Sequence, residues 1–218
     1  MSAVDFEVGV LFCNNQELVR PFLYFLRKST VLRFRIIAID QASRDSTSDE
    51  LVKNLHPEDL CLRLPMNRGV AGGRNVILRN RTPNLPLLLM DSDVFPIQRD
   101  SAAAMLQSIQ PTGPCGVVFG EMANFWKPGD TTTGFAFAMF SPQAIEVLGE
   151  FDERFQMFFD DTAKMDLIHD LGIRYTHCPG ARAVHLWGET VRQGSEEWRC
   201  ERVFKEDRLL YRQMKGNP

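Results

Sequence analysis

Leu85-Pro86-Leu87-Leu88-Leu89-Met90-Asp91-Ser92-Asp93 is the stretch that decides the fold. Its apolar run does not alternate with polar residues, so it reads as a strand, Leu85 to Met90, covered on both faces. Covered strands of that kind belong to sheets with helices on either side. Three further runs upstream read the same way: Val8 to Cys13, Arg35 to Asp40 and Leu60 to Leu64. Amphipathic stretches separate them. Gln16 to Lys28 places Leu18, Phe22, Phe25 and Leu26 at helical spacing. Ser46, with Asp49 three residues on, opens a second helix through an approximate capping box. Gly72 to Arg81 forms a third. Strand–helix alternation predicts an α/β fold, with a mainly parallel central sheet flanked by helices. Ligands of such sheets gather at the carboxyl ends of the strands. The polar residues there are Asn14, Asp40, Asn67 and Asp91 to Asp93.

Downstream the pattern changes. Ser101 to Ile109 reads as a helix, and Gly116 to Gly120 and Phe135 to Phe140 as strands. The loop between them, Glu121 to Gly134, carries Phe125 and Trp126. Ser141-Pro142 reads as N-cap and first residue of another helix. Asp161 to Leu171 is helical, Ile173 to Leu186 holds short strands, and Glu196 to Met214 is an amphipathic helix laced with charge. No repeat or low-complexity linker divides the 218 residues. One domain is expected over 1–218, with a first half (1–95), a second half (96–192) and a C-terminal helix (193–218).

Composition narrows the function. Net charge is −3, without the basic footprint of a non-specific nucleic-acid binder. No apolar run reaches the roughly 18 residues of a membrane span. Met1 to Glu7 has two acids and no basic residue, unlike a signal peptide. Cys13, Cys61, Cys115, Cys178 and Cys200 are scattered without C-x-x-C spacing, which gives neither a zinc site nor a disulfide framework. Free thiols fit a cytoplasmic location.

Five motifs carry chemistry. Asp91 and Asp93 are alternate residues of an extended segment, so both carboxylates can face one hard divalent cation; the alternative is a solvated turn. Asn67-Arg68-Gly69-Val70-Ala71-Gly72-Gly73-Arg74-Asn75 permits close backbone approach to a ligand. A helix starting near Gly72 would offer free N–H groups to an anion, with Arg74 beside them; otherwise it is a connecting loop. It is neither a Walker A loop nor G-x-G-x-x-G. Asp40, at a strand end, suits a base edge or ribose hydroxyl. Asp160 and Asp161 follow Phe151-Asp152-Glu153-Arg154-Phe155, where a carboxylate could take a proton from an acceptor hydroxyl or simply favour a helix start. His185 could complete a metal shell, and Trp187 could face a sugar or lie in the core.

Taken in order, these residues resemble the GT-A fold of the family 2 glycosyltransferases, which implies a Rossmann-like nucleotide-binding half over 1–95 fused to an acceptor-binding, catalytic half over 96–192. That family runs through an acid after strand two, N-x-G-x-A-G-G-x-N, D-x-D, G-F-D-E-x-F, an E-D pair and V-x-H-x-x-G. Here the corresponding stations are Asp40, Asn67–Asn75, Asp91–Asp93, Phe151–Phe155, Asp160-Asp161, and Val184-His185 through Gly188. The resemblance implies that Asn14, Asp40, Asn67, Gly72, Gly73, Arg74, Asp91 and Ser92 serve the nucleotide donor. It implies that Asp93, Asp91 and His185 hold Mn²⁺ or Mg²⁺, and that Asp161 is the general base. Trp126, Asp160 and Trp187 fall to the acceptor side. The pair begins with Asp160 in place of the usual glutamate, and Cys13-Asn14 replaces the usual proline-threonine.

The function implied is inverting, metal-dependent transfer of one sugar from a UDP-, dTDP- or GDP-sugar to an acceptor hydroxyl. The acceptor could be a glycan, lipid-linked saccharide, protein, small molecule or modified nucleobase. A nucleotidyltransferase would want a basic phosphate loop, which Asn14-Asn15-Gln16-Glu17 does not supply. A binding-only protein would not need Asp91, Asp93 and Asp161 together. The charged C-terminal helix reads as a solvated helix packed on the domain or a homodimer contact.

Overall fold

A computed structural model describes residues 4–109, 116–127, 129–186 and 197–216, with the side chains of 197–200 outside the description. The chain folds as β1 (Phe6–Phe12), α1 (Gln16–Lys28), β2 (Phe34–Asp40), α2 (Thr47–Asn54), β3 (Leu60–Arg63), α3 (Gly69–Asn80), β4 (Leu87–Asp91) and β5 (Val94–Pro96). Then come α4 (Ser101–Ile109), β6 (Val117–Asn124), β7 (Thr131–Thr132), β8 (Phe137–Phe140), α5 (Pro142–Leu148), α6 (Asp160–Asp170), β9 (Tyr175–His185) and α7 (Glu197–Met214).

One sheet runs through both halves in the order β3-β2-β1-β4-β8-β6-β9-β5, with β7 paired to β6. β3, β2, β1 and β4 are parallel. Antiparallel pairs then carry the sheet across β8 and β6, and β9 returns parallel to β6. The parallel half is thus as expected, and the second half is mixed. The short strands expected over 173–186 are one strand of 11 residues, whose pairing with β6 shifts register between Gly120 and Glu121.

Alternation on the strands sorts the core into two faces. Phe6, Val8, Val10 and Phe12 join Ile36, Ala38, Leu88 and Met90 under α1 and α4. Ile37, Ile39, Leu87 and Leu89 turn the other way, under α3, α5 and α6. Helix α1 has the predicted bounds and buries Leu18, Val19, Phe22, Leu23 and Leu26. The Ser141 hydroxyl accepts the Ala144 N–H at 3.0 Å, with Pro142 opening α5 as expected.

The capping box expected at Ser46 does not form. Asp45 takes over: its carboxylate accepts the Thr47 N–H at 3.0 Å and the Gln16 N–H at 3.1 Å. One acid thereby starts α2 and ties it to α1. Among the described residues no helix is long and apolar enough to cross a membrane.

Candidate functional site

Parallel register brings the strand ends into one row. Phe12 pairs with Asp40, Asp40 with Arg63, and Leu11 with Asp91. Asp40 is fully buried. One carboxylate oxygen accepts the Ser43 N–H at 3.0 Å; the other lies 3.5 Å from Arg63 Nε and accepts no hydrogen bond. A buried carboxylate oxygen without a hydrogen bond is costly, and a ligand N–H would satisfy it.

Asp91 closes β4, and the chain turns through Ser92 and Asp93 into β5. β5 pairs antiparallel with β9, placing Val94 opposite His185. This pairing, which the sequence did not disclose, brings a residue 92 positions away to the acids. His185 Nε2 lies 3.2 Å from Asp93 Oδ1. Ligand atoms of Asp91, Asp93 and His185 all fall within 4.8 Å of one another. Two hard carboxylate oxygens and an imidazole nitrogen form a donor set that suits a first-row divalent ion. Burial works against a charged imidazole here, but hydrogen-bonded Asp93 and nearby Asp91 outweigh it and raise the His185 pKa.

Ser92 is buried, and its hydroxyl accepts Asn15 Nδ2 at 2.7 Å. It braces the turn against the end of β1. Asn14 is exposed with φ 51°, and its Oδ1 accepts the Arg44 N–H at 2.7 Å. Asn67 Nδ2 lies 3.3 Å from Cys13 Sγ, joining the loops that follow β1 and β3.

The glycine-rich segment is arranged differently from the expectation. α3 starts at Gly69, three residues early, and its first N–H groups are already taken. Gly69 N–H donates to Asn67 Oδ1 at 2.8 Å and Val70 N–H to the Gln156 carbonyl at 2.7 Å. The helix start expected near Gly72 therefore falls at Gly69, and Gly72 and Gly73 are buried inside the helix. Their small size serves close packing. A Cβ on Gly73 would meet both Leu11 methyls and Gln41 Nε2 at 2.9 Å.

Arg74 lies inside the protein rather than at the surface. Nη1 is 2.8 Å from Asp160 Oδ2, and Nη2 is 3.3 Å from Asp91 Oδ1. The guanidinium also lies over the Phe151 ring at 5.4 Å. Burial opposes its charge, yet Asp160, Asp91 and Asp161 outweigh burial and raise its pKa. Burial pushes the Asp160 carboxyl up to about 6; Arg74 pulls against this, and Asp161 and Asp91 add to it. Asp161, one residue on in the first turn of α6, is exposed and accepts the Thr162 N–H at 2.7 Å.

Asn15 and Asn75 were missed as site residues. Asn75 is fully buried and grips Phe151 through both backbone groups, Oδ1 to its N–H at 2.7 Å and Nδ2 to its carbonyl at 2.9 Å. It docks the glycine-rich motif onto the Phe151–Phe155 motif. The clue was an asparagine inside a helical stretch, where that side chain has a poor propensity.

On the other side of the cluster, Phe125 N–H donates to the His185 carbonyl at 3.1 Å, and Trp126 Nε1 donates to the Leu186 carbonyl. Phe125 and Trp126 are about half exposed and form an edge-to-face pair at 4.9 Å. The β6–β7 hairpin beyond them lines an open depression of about 760 Å³, with Trp126, Lys127, Asp130 and Thr131 among its walls. Trp187 lies outside the described residues.

A mixed sheet of this order, with paired acids at the carboxyl end of β4, defines a GT-A architecture, and the solved structures that resemble it are GT-A glycosyltransferases. Residues 7–179 match the profile of glycosyl transferase family 2, and the chain belongs to that family. The mannosyltransferase PcManGT from Pyrobaculum calidifontis, in complex with GDP-Man and Mn²⁺, is 19% identical at a TM-score of 0.66 over 85% of this chain and 57% of that one. S. aureus TarS 1-349 is 16% identical at 0.60, over 83% and 57%. GalNAc-T7, with UDP, GalNAc and Mn²⁺, is 13% identical at 0.66, over 84% and 44%. The chain thus spans about half the length of these proteins. No curated protein matches its sequence. Family and fold together support a glycosyltransferase.

Proposed function

We propose that this chain transfers one sugar from a nucleotide-sugar to an acceptor hydroxyl, with inversion at the anomeric carbon. The observation that carries this reading is the cluster of Asp91, Asp93 and His185 at the strand ends, linked through Arg74 to the Asp160-Asp161 pair.

Asp91, Asp93 and His185 would hold Mn²⁺ or Mg²⁺. Such an ion supplies positive charge to the diphosphate leaving group as the bond to the sugar breaks. Asp40, buried with one free acceptor position, would read an N–H of the base. Uracil, thymine and guanine each offer one, which fits UDP-, dTDP- or GDP-sugars. Asn14, Asn67 and Ser92 would shape the donor side. Gly72 and Gly73 would contribute by letting α3 approach β1 closely.

Asp161 would take the proton from the acceptor hydroxyl as its oxygen attacks the anomeric carbon. Arg74 holds neighbouring Asp160 and so fixes the start of α6. The exposed faces of Phe125 and Trp126 beside His185 suit the apolar face of a sugar ring. A saccharide acceptor is the class these rings favour.

The test is a thermal-shift panel of UDP, dTDP, GDP and CMP, each with Mn²⁺ and again with EDTA. A ligand that binds only the folded chain raises its melting temperature by mass action. A shift with one of UDP, dTDP or GDP that disappears in EDTA supports the reading and identifies the nucleotide. Asp161→Asn should then keep that shift and lose sugar transfer. Full transfer by Asp161→Asn removes the base assignment.

A further inference from the structure

Helix α7 packs one face on the segment that leads into the Asp160-Asp161 pair. Asp207 is 3% exposed. Its carboxylate accepts three successive backbone N–H groups: Gln156 at 3.2 Å, Met157 at 3.0 Å and Phe158 at 2.9 Å. Three backbone donors on one buried carboxyl group satisfy oxygens that would otherwise be costly to bury. Phe204 and Tyr211 lie on the same helical face, three residues before and four after. Phe204 contacts Phe158 and Phe159 with ring centroids at 5.3 and 5.4 Å. Tyr211 stacks on Phe159 at 5.5 Å, and its hydroxyl donates to Asp166 of α6 at 2.7 Å.

Phe159 stands at φ 62°, a left-handed conformation that bulky side chains disfavour. It immediately precedes Asp160, and its carbonyl accepts the Ala163 N–H at 2.9 Å, so it starts α6. The segment 156–159 is therefore gripped by α7 on one side. On the other, the Gln156 carbonyl accepts Val70 N–H from α3, the helix that carries Arg74.

We propose that Asp207 is a positioning residue for transfer: it fixes the 156–159 segment and, through it, the angle at which α6 presents Asp161. The proposal rests on the transferase reading above. The family match ends at residue 179, so α7 lies outside the matched residues. A displacement of about 1 Å in a reacting group can cost around a hundredfold in rate. Asp207→Asn keeps the shape and one acceptor oxygen but turns an NH₂ toward the Gln156 N–H, which lies 3.2 Å from both carboxylate oxygens.

The experiment compares the full chain with Asp207→Asn and Asp207→Glu. Expected for Asp207→Asn is a fall in kcat of about 10- to 100-fold. The affinity for UDP or GDP with Mn²⁺ should stay within about twofold, and Asp207→Glu, which keeps the carboxylate, should recover part of the rate. An unchanged kcat overturns the proposal. So does a joint loss of kcat, nucleotide affinity and melting temperature, which marks a purely structural residue. If the unaltered chain moves no sugar, the transferase reading fails instead. Amide exchange then decides the clamp: Asp207→Asn must speed exchange over 156–163 and leave β1 and β4 unchanged, and equal rates over 156–163 overturn it.

Discussion

Arg74 lies 2.8 Å from Asp160, joining two residues 86 positions apart and the two halves of the chain. The same guanidinium reaches Asp91 at 3.3 Å. It therefore stands between the acid pair at the start of α6 and the acidic cluster at the end of β4. An arginine fits this place because its planar fork can serve two carboxylates at once, while an ammonium is a point charge.

Removing that cation leaves Asp160 buried and unpaired. Breaking a buried pair from one side costs about 3–5 kcal/mol. For a chain of this size that corresponds to a melting temperature lower by roughly 6–20 °C. Arg74→Ala is expected to show such a loss in a thermal melt. Arg74→Lys should retain more stability yet still lose at least about tenfold in transfer, since it cannot hold both acids in place. Equal rates for Arg74→Lys and the unaltered chain would show that the double contact has no part in the chemistry.

Much of this was legible in the sequence, and the part that was not has a physical pattern. The bounds of α1, the Ser141-Pro142 cap and the acids at the end of β4 follow from local periodicity and capping chemistry. His185 was singled out by motif, but its meeting with Asp93 depends on β5, three residues too few to show any period. The early start of α3 depends on Gly69 at φ 73° and on acceptors supplied by Asn67 and Gln156. The interleaved charge of the C-terminal helix reads as a solvated helix packed on the domain or a homodimer contact, and nothing in that pattern singles out Asp207. Alternating charge is what such a helix shows, and a single buried acid hides among the rest until the partner segment is in view.

The pH dependence should centre on Asp160. Its folded pKa, about 6, is above the ordinary carboxylate value. The folded chain therefore holds this proton more tightly than the unfolded chain does. Its contribution to stability is fully present below about pH 4 and is lost as pH rises through about 6. The pull of Arg74 is already part of that pKa, and the ion pair forms as Asp160 ionises. Transfer should thus rise with pH through about 6 while the Asp160 contribution to stability declines. Urea midpoints measured between pH 4 and 7 should show that decline in the unaltered chain and a flatter profile in Asp160→Asn. The same slope in both would assign the effect to another group.

Gly73 tests whether the glycine-rich motif serves packing. Alanine inside a helix ordinarily gains about 0.5–1 kcal/mol over glycine. Here the new Cβ would meet Leu11 and Gln41 at 2.9 Å from a fully helical backbone, and overpacking costs about 1–3 kcal/mol. The clash outweighs the propensity gain, so Gly73→Ala should lower the melting temperature by a few degrees. Gly134, with nothing within 4 Å of its would-be Cβ, is the matched control and should tolerate alanine with little change. If Gly73→Ala instead raised stability, Leu11 would have moved aside at little cost, and β1 and α3 would not depend on the missing side chain. Nucleotide binding measured on the same variant shows whether the packing reaches the site. Shifted β1 and α3 would carry Asn14 and Arg74 with them, so weaker UDP or GDP binding should accompany the loss of stability.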